Sequence, residues 1–273
     1  MTATREQGFF FDEVKHKYYL DGRLMTGVTT CLGVLAKPAL IQWAANLGTA
    51  KAFELANTLD EKRLVELAGA IRAAEEKFGK INAGACEWIE SQFPEFREAR
   101  CAHTAKKEAA GKHGTDTHAM VESYVNHCIA NGGSPVDLEV EEIVQPFVKW
   151  SVENVDKFLF AERPMHDKEL FFAGTADFGY VGKDGRRYIG DFKTSSGIYG
   201  IDYWLQVSAY RHLAECEGDA PYDGMTVVRI GKDDGKFEAH SLYEYESYRD
   251  VFLSCVRIYR MQQGHAGMTV KAY

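Results

Sequence analysis

Hydrophobic and polar positions alternate in two separate parts of the chain, and such alternation predicts β-strands. Over the first 28 residues, short apolar runs are separated by turn residues, which predicts two or three strands with a turn at Asp21-Gly22. Alternation returns in the second half, where it predicts strands at about Phe158–Arg163, Lys168–Val181 and Arg187–Phe192. The turn GKDG joins the last two, and two more strands, GMTVVRIG and KFEAHSLY, follow later in the chain.

Between these two parts the apolar residues recur at helical spacing, first from Thr29 to about Phe93 and then as far as Gly133. Two apolar stripes predict helix faces that pack in a core: Leu40, Trp43, Leu47 and Ala50, and then Leu64, Leu67 and Ile71. In the second stretch we expect Gly114 to divide the helix, with Thr115 or Asp116 capping the part that follows.

Three further helices are predicted among the later strands. They are VEEIVQPFVKWSVENVDKFLF, a segment from about Ile201 to Glu217, and the closing segment EYESYRDVFLSCVRIYRMQ. The closing helix is expected to turn five residues inward: Tyr245, Tyr248, Phe252, Cys255 and Tyr259. This order of elements indicates an α/β fold in which helices flank a central mixed sheet.

Composition narrows the class of protein only slightly. With 45% hydrophobic residues over 273 positions the chain can bury a sizeable core, and the absence of both an 18-residue apolar run and a signal-peptide pattern favours a soluble, cytoplasmic protein with no membrane association. The six cysteines are scattered without a CxxC pair, which argues against a cysteine zinc cluster or an iron–sulfur centre. A net charge of -8 argues against a general polyanion-binding surface but permits a local basic track or carboxylates that hold a cation.

Candidate chemistry lies in the segment from Phe171 to Ser196, which carries two acids and a lysine. Residues two apart on a strand point to the same face, so Asp191 and Lys193 project together. Pairing across the GKDG turn brings Asp177 within cross-strand reach of Asp191. Two carboxylates and a lysine are the minimum for a divalent cation with a nucleophilic water beside it.

The D-x-K or E-x-K spacing alone has little value, because it recurs in this chain. Asp60-Glu61-Lys62, Glu13-Val14-Lys15 and Asp234-Gly235-Lys236 have the same spacing, and a surface salt bridge is its usual meaning. The segment around Asp177 and Asp191 differs because it is apolar, and unpaired charges are costly there.

Two other segments supply candidate partners. Gln206 and Tyr210 stand four apart on a predicted helix and therefore share one face, although such a pair alone more often reflects packing and a solvated amide. His118 lies on the helix after GTD and is a possible metal ligand, with His113 as a rival and an ordinary helical histidine as the alternative.

The motifs GTDTH (114–118), GTAD (174–177), DFK (191–193) and Q-x-x-x-Y (206–210) together resemble the RecB-like branch of the PD-(D/E)XK nuclease superfamily. The motif resemblance covers about residues 111–210. The strands and final helix extend it to about residue 261, and TGVTTCLGVLAKPALIQWA resembles, more loosely, the leading segment of phage and organellar exonucleases of this branch.

The resemblance implies a restriction-endonuclease-like core over residues 106–273 and an N-terminal β-hairpin and helical extension over 1–105 packed on that core. It makes His118, Asp177, Asp191 and the backbone carbonyl of Phe192 ligands of Mg²⁺, with Mn²⁺ possible. Lys193 would orient or help to deprotonate the attacking water and stabilise charge on the phosphate, while Gln206 and Tyr210 would position the lysine or the nucleic-acid backbone. Some relatives carry an additional acid on the first core strand, where Glu162 stands here; Glu169 is the rival, and a solvated charge is the alternative for either residue.

The resemblance therefore implies a divalent-metal-dependent nuclease that hydrolyses DNA phosphodiester bonds, most often an exonuclease at single- or double-stranded ends in recombination, repair or phage DNA processing. A recombination or single-strand-binding protein is the expected partner. Alternatives are an endonuclease of the same fold, a non-cleaving nucleic-acid-binding subunit, and a structural protein with a chance motif. Lys106, Lys107 and Lys112 are candidate DNA contacts or simply an exposed helix face.

Overall fold

The computed structural model describes residues 8–35, 38–195, 197–198, 200–231 and 235–265, without the side chains of 38–39, 107–115 and 265. The chain divides into two compact units, one formed by Met1–Leu35 with His113–Tyr273 and the other by Ala36–Lys112. This division differs from the expected domains 1–105 and 106–273. The reason is that the amino-terminal strand Thr26–Gly27 pairs with the central sheet, so the first strands belong to the larger unit.

The larger unit begins with four short strands, β1 (Phe9–Asp12), β2 (Lys17–Leu20), β3 (Arg23–Leu24) and β4 (Thr26–Gly27). The first three form an antiparallel sheet, and β4 joins the main sheet. The predicted turn at Asp21-Gly22 is confirmed. Both residues have positive φ, at 50° and 70°, as the tight turn between two hairpin strands requires.

The main sheet of the described residues has six strands: β4 together with β5 (Val155–Asp167), β6 (Phe172–Gly182), β7 (Arg187–Lys193), β8 (Gly224–Ile230) and β9 (Phe237–Leu242). The order is β4-β6-β7-β8-β9, and β5 pairs with β6 in addition to these neighbours. β4 pairs with the start of β6, and β7 pairs with its second half. The pairs β4/β6 and β7/β8 are parallel, whereas the other pairs are antiparallel. The expected mixed sheet is therefore present.

The helices are α1 (Val28–Leu32), α2 (Pro38–Thr58), α3 (Glu61–Phe78), α4 (Ala83–Gln92), α5 (Arg97–Ala130), α6 (Gln145–Asn154), α7 (Asp202–Cys216) and α8 (Glu246–His265). Helices flank both faces of the sheet, as expected. A hydrophobic core lies on each face of the sheet. Side chains along β7 alternate between these two cores: Ile189 packs with residues of α7 and α8, whereas Phe192 packs with residues of α5 and α6.

Helix α5 runs without a break from Arg97 to Ala130, so the expected division at Gly114 is wrong. A glycine inside a helix costs only about 1 kcal/mol relative to alanine, and a helix of 34 residues tolerates that cost. The side chain of the proposed cap Thr115 lies outside the described residues, and Asp116 is exposed on the continuous helix.

The smaller unit contains α2, α3 and α4. Its expected packing stripes are wrong at five positions, since Leu40, Trp43, Leu64 and Ile71 are 37–55% exposed and Ala50 is exposed as well. The buried residues are mostly small, namely Ala70, Ala74, Ala85 and Ala99, together with Phe93. The prediction that the large apolar side chains of α2 and α3 face the core was therefore wrong. Helices can approach each other more closely along a face of alanines.

Candidate active site

Two aspartates lie where strands β6 and β7 separate. The ladder between these strands ends at Phe178↔Gly190, so Asp177 and Asp191 form the next pair beyond it. Strand β7 continues beside β8 as far as Lys193↔Arg229, while β4 pairs with the start of β6 at Thr26↔Phe172. Beyond the last backbone pair, the Asp177 side chain links the two strands, because its Oδ2 accepts a hydrogen bond from the Phe192 backbone N–H at 2.5 Å.

Glu162 places a third carboxylate beside the first two. The pairs Ala161↔Phe178 and Arg163↔Ala176 flank Glu162, which puts it opposite Asp177 across the β5–β6 ladder. Its φ of 41° lies in the left-handed region, a conformation that costs about 1–3 kcal/mol in a residue other than glycine. Glu169, the rival acid, is exposed in the turn after β5. Glu162 is therefore the acid that reaches the aspartates.

The environment of the acids disfavours their charged forms. Burial, and then the neighbouring Asp191 and Glu162, raise the pKa of Asp177 well above its ordinary value. Burial, and then Glu122 and Asp191, raise the pKa of Glu162 to about 7. Like charges directly across strands destabilise a sheet, so this row of acids calls for a compensating cation.

Lys193 supplies part of that compensation and is held by a chain of side-chain contacts. Its Nζ forms an ion pair with Asp191 Oδ2 and donates a hydrogen bond to Gln206 Oε1 at 3.1 Å. Gln206 Nε2 donates in turn to the Tyr210 hydroxyl at 2.7 Å. Burial lowers the pKa of Lys193, but Asp191 and Asp177 outweigh it and the net shift is upward. The structure thus brings Gln206 and Tyr210 to the lysine.

Tyr210 is held by a close approach of the backbone. An added Cβ at Gly174 would lie 2.8 Å from both Tyr210 Cε1 and Val28 Cγ2, so only glycine leaves room for the tyrosine ring. The neighbouring Thr175 hydroxyl lies 3.0 Å from the Tyr18 hydroxyl. The GTAD motif therefore combines an acid with a glycine that the packing of the site requires.

His118 reaches the acids from α5. Its Nδ1 lies 3.9 Å from Asp177 Oδ2, and its ring meets the Phe192 ring edge-on at 6.0 Å between centroids. Burial lowers the pKa of His118, against the opposing effects of Asp191 and of a backbone hydrogen bond at Phe192. The neutral imidazole is the form that binds metals. The side chain of His113 lies outside the described residues.

The side chains fit a divalent cation. Ligand atoms of His118, Glu162 and Asp177 lie within 4.8 Å of one another, and Asp191 is the next acid along the same row. All four line one cavity of about 690 Å³ together with Lys193, Gln206 and Tyr210. Carboxylate oxygens with one imidazole suit Mg²⁺ or Mn²⁺. The backbone of Phe192 adjoins this group through its N–H, and its ring belongs to the core.

Sequence reasoning missed several cavity residues. Tyr18 and Thr26 come from the amino-terminal strands, and Tyr259 comes from the closing helix. Glu122 follows His118 by four positions on α5, a spacing that places both on one face and could have indicated it. Of the three candidate DNA-contacting lysines, Lys106 is exposed, and the side chains of Lys107 and Lys112 lie outside the described residues.

Comparison with known proteins gives little further information. No family model matches the chain, and no curated protein matches it. Among solved structures, that of SSO0001 is similar over 72% of this chain and 86% of its own, with 15% sequence identity and a TM-score of 0.34. No helix of the described residues combines the length and apolar character needed to cross a membrane.

Proposed function

We propose that this chain is a divalent-metal-dependent nuclease of the PD-(D/E)XK superfamily, RecB-like branch, with a restriction-endonuclease-like core, and that it hydrolyses DNA phosphodiester bonds. One observation carries the proposal: the adjacent carboxylates of Glu162, Asp177 and Asp191 share a cavity with Lys193. A buried row of carboxylates destabilises the fold where its members are charged, and a bound cation would relieve the repulsion that Lys193 leaves uncompensated.

The proposed ligands of Mg²⁺ or Mn²⁺ are Asp177, Asp191 and His118, together with the Phe192 carbonyl. Glu162 lies beside Asp177 and His118 in the same group of possible ligand atoms, and Asp191 is the next acid across the β6–β7 pair. Phosphodiester hydrolysis requires on the order of 20 kcal/mol of barrier reduction. When bound, the cation supplies a lowered pKa of coordinated water and charge neutralisation at the phosphate. The contribution of the chain is the fixed placement of the oxygen donors on three paired strands.

Lys193 is proposed to bind the phosphate. Because its pKa is raised, the side chain is an ammonium at neutral pH and acts as a hydrogen-bond donor and a positive charge. Gln206 accepts from this ammonium and is itself held by Tyr210, so the lysine has a defined position before substrate arrives. The lysine is thus placed to orient the attacking water or help to deprotonate it, and to stabilise developing negative charge.

The row of acids also favours cleavage over binding alone. A binding-only protein has no need for three carboxylates where a phosphate approaches, because they repel it. We propose an exonuclease that acts on single- or double-stranded DNA ends in recombination, repair or phage DNA processing, with a recombination or single-strand-binding protein as partner. An endonuclease of the same fold is the alternative.

Digestion of labelled DNA tests this proposal. Purified protein is incubated with 5′- or 3′-labelled linear duplexes, linear single strands and covalently closed circles, each with Mg²⁺, Mn²⁺ or a chelator. We expect progressive shortening of linear DNA with either metal and no product with the chelator. Cleavage of closed circles would move the activity to an endonuclease. Metal-independent cleavage, or binding of DNA ends without any cleavage, would overturn the proposal.

A further inference from the structure

A second group of metal-binding side chains lies outside the cavity described above. Asp167, His212 and Cys216 each offer one ligand atom, and these atoms all lie within 4.8 Å of one another. Asp167 is the last residue of β5, whereas His212 and Cys216 stand four apart on the final turns of α7. The i,i+4 spacing puts the imidazole and the thiol on one helix face.

The separations between ligand atoms approach those around a tetrahedral ion. His212 Nε2 lies 2.8 Å from Asp167 Oδ2, and Cys216 Sγ lies 3.4 Å from Nε2 and 3.8 Å from Oδ2. With Zn–N of about 2.0 Å and Zn–S of about 2.3 Å, the edges of a tetrahedral site are about 3.4–3.6 Å long. Widening of the imidazole–carboxylate contact by about half an ångström would admit the ion.

The same atoms do not form a nucleophilic triad. In such a triad the acid and the thiol use opposite nitrogens of the imidazole. Here Asp167 and Cys216 both contact Nε2, so the three ligand atoms surround one point.

Two of the ligands are already oriented. Asp167 Oδ1 accepts backbone hydrogen bonds from Glu169 and Leu170, both at 2.8 Å, which leaves Oδ2 directed toward His212. The His212 ring stacks on the buried Phe172 ring at 5.8 Å with an interplanar angle of 15°. Hydrogen bonds to a ligating carboxylate, like those at Asp167, are typical of metal sites. Cys216 is exposed, which gives an ion a path of entry.

We propose that Asp167, His212 and Cys216 bind a Zn²⁺ ion, with solvent in the fourth position. A thiolate, an imidazole and a carboxylate suit this borderline-soft ion better than Mg²⁺. Binding replaces the thiol proton, which is released to solvent. The ion joins the end of β5, the strand that carries Glu162, to the end of α7, the helix that carries Gln206 and Tyr210. The scattered cysteines exclude a cysteine cluster but not this mixed site.

Cobalt substitution tests the site independently of nuclease activity. Full-length protein is freed of metal with a chelator and titrated with Co²⁺, and the near-ultraviolet thiolate-to-cobalt band is recorded before and after addition of Zn²⁺. Cobalt at the acidic cavity gives no such band, because the ligands proposed there include no thiolate. We expect one equivalent of band-forming cobalt per chain, displaced by Zn²⁺.

Two cysteine variants make the test specific. Cys216→Ser should abolish the band, whereas Cys101→Ser, a change at another exposed cysteine, should retain it. His212→Asn should retain a thiolate but weaken Zn²⁺ binding by more than about tenfold. Circular dichroism verifies the fold of each variant. Absence of the band from the parent protein, or its persistence in Cys216→Ser, overturns the proposal.

Discussion

Two segments of this chain share the spacing Asp-x-Lys and have opposite surroundings. Asp60 caps α3 by accepting from the Arg63 N–H at 2.8 Å, and Lys62 is exposed beside it. Asp191 is 2% exposed on a central strand, and its lysine partner, Lys193, is largely buried. Charges at a helix start cost almost nothing, whereas buried charges require partners. Burial beside two further acids therefore distinguishes a candidate active site, and spacing does not.

The largest expected difference between these segments is in cleavage. Asp191→Asn removes one proposed metal ligand and the ion-pair partner of Lys193, so we expect the rate of DNA cleavage with Mg²⁺ to fall by about 10³-fold or more. Asp60→Asn keeps a side chain that caps a helix equally well and should leave the rate unchanged. Equal rates for the two variants would show that the buried segment has no special role.

A glycine-to-alanine change in each of the two regions is expected to give the next largest difference in cleavage. Gly174→Ala places a methyl group 2.8 Å from Tyr210 and displaces the side chain that holds Gln206, so cleavage should fall by about 10- to 100-fold. Gly69→Ala on α3 meets open space and should stabilise the protein by about 0.5–1 kcal/mol without affecting cleavage. Rates are compared with melting temperatures for both variants, and full activity in Gly174→Ala would contradict the positioning role of Tyr210.

The pH dependence of stability distinguishes the buried acids from the exposed ones. The folded-state pKa of Glu162 is about 7 and its ordinary value is 4.5, so the folded state holds the proton more tightly. The contribution of Glu162 to stability should therefore be greatest below about pH 4.5 and be lost as pH rises through 7, by on the order of 1 kcal/mol. Asp177 acts in the same direction.

Glu162→Gln removes this titration and should flatten that part of the profile in a chelator-containing buffer. Addition of Mg²⁺ at pH 7 should raise the melting temperature of the parent protein more than that of the variant, since a cation relieves the repulsion. Parallel pH profiles for the two proteins would contradict the proposed repulsion among the acids.

The smallest expected effect concerns the exposed segment alone. Asp60→Ala removes the cap from α3 and should cost about 1 kcal/mol of unfolding free energy, with cleavage unaffected. Denaturant unfolding measures the loss. Slower cleavage by a fully folded Asp60→Ala protein would contradict the claim that only the buried segment takes part in cleavage.

The sequence predicted the sheet and the cross-strand aspartates because strand alternation and the GKDG turn are local properties. Spacing also predicted that Gln206 and Tyr210 share one helix face; Gln206 proves to contact Lys193, and Tyr210 contacts Gln206. The choice between Glu162 and Glu169 required the β5–β6 register. In the second cluster, Asp167 lies 45 and 49 positions before His212 and Cys216. Local sequence patterns carry no information about contacts between such distant residues. The predicted break at Gly114 was wrong because a long helix tolerates a single glycine.

The most direct test is the rate of Mg²⁺-dependent digestion of end-labelled linear DNA by Lys193→Ala and by Lys62→Ala, with the parent protein alongside. Both variants lose one lysine from the same Asp-x-Lys spacing, and circular dichroism verifies that both are folded. The account predicts that Lys193→Ala loses cleavage by about 10²–10³-fold while Lys62→Ala retains the parental rate. Undiminished cleavage by a folded Lys193→Ala protein would contradict it.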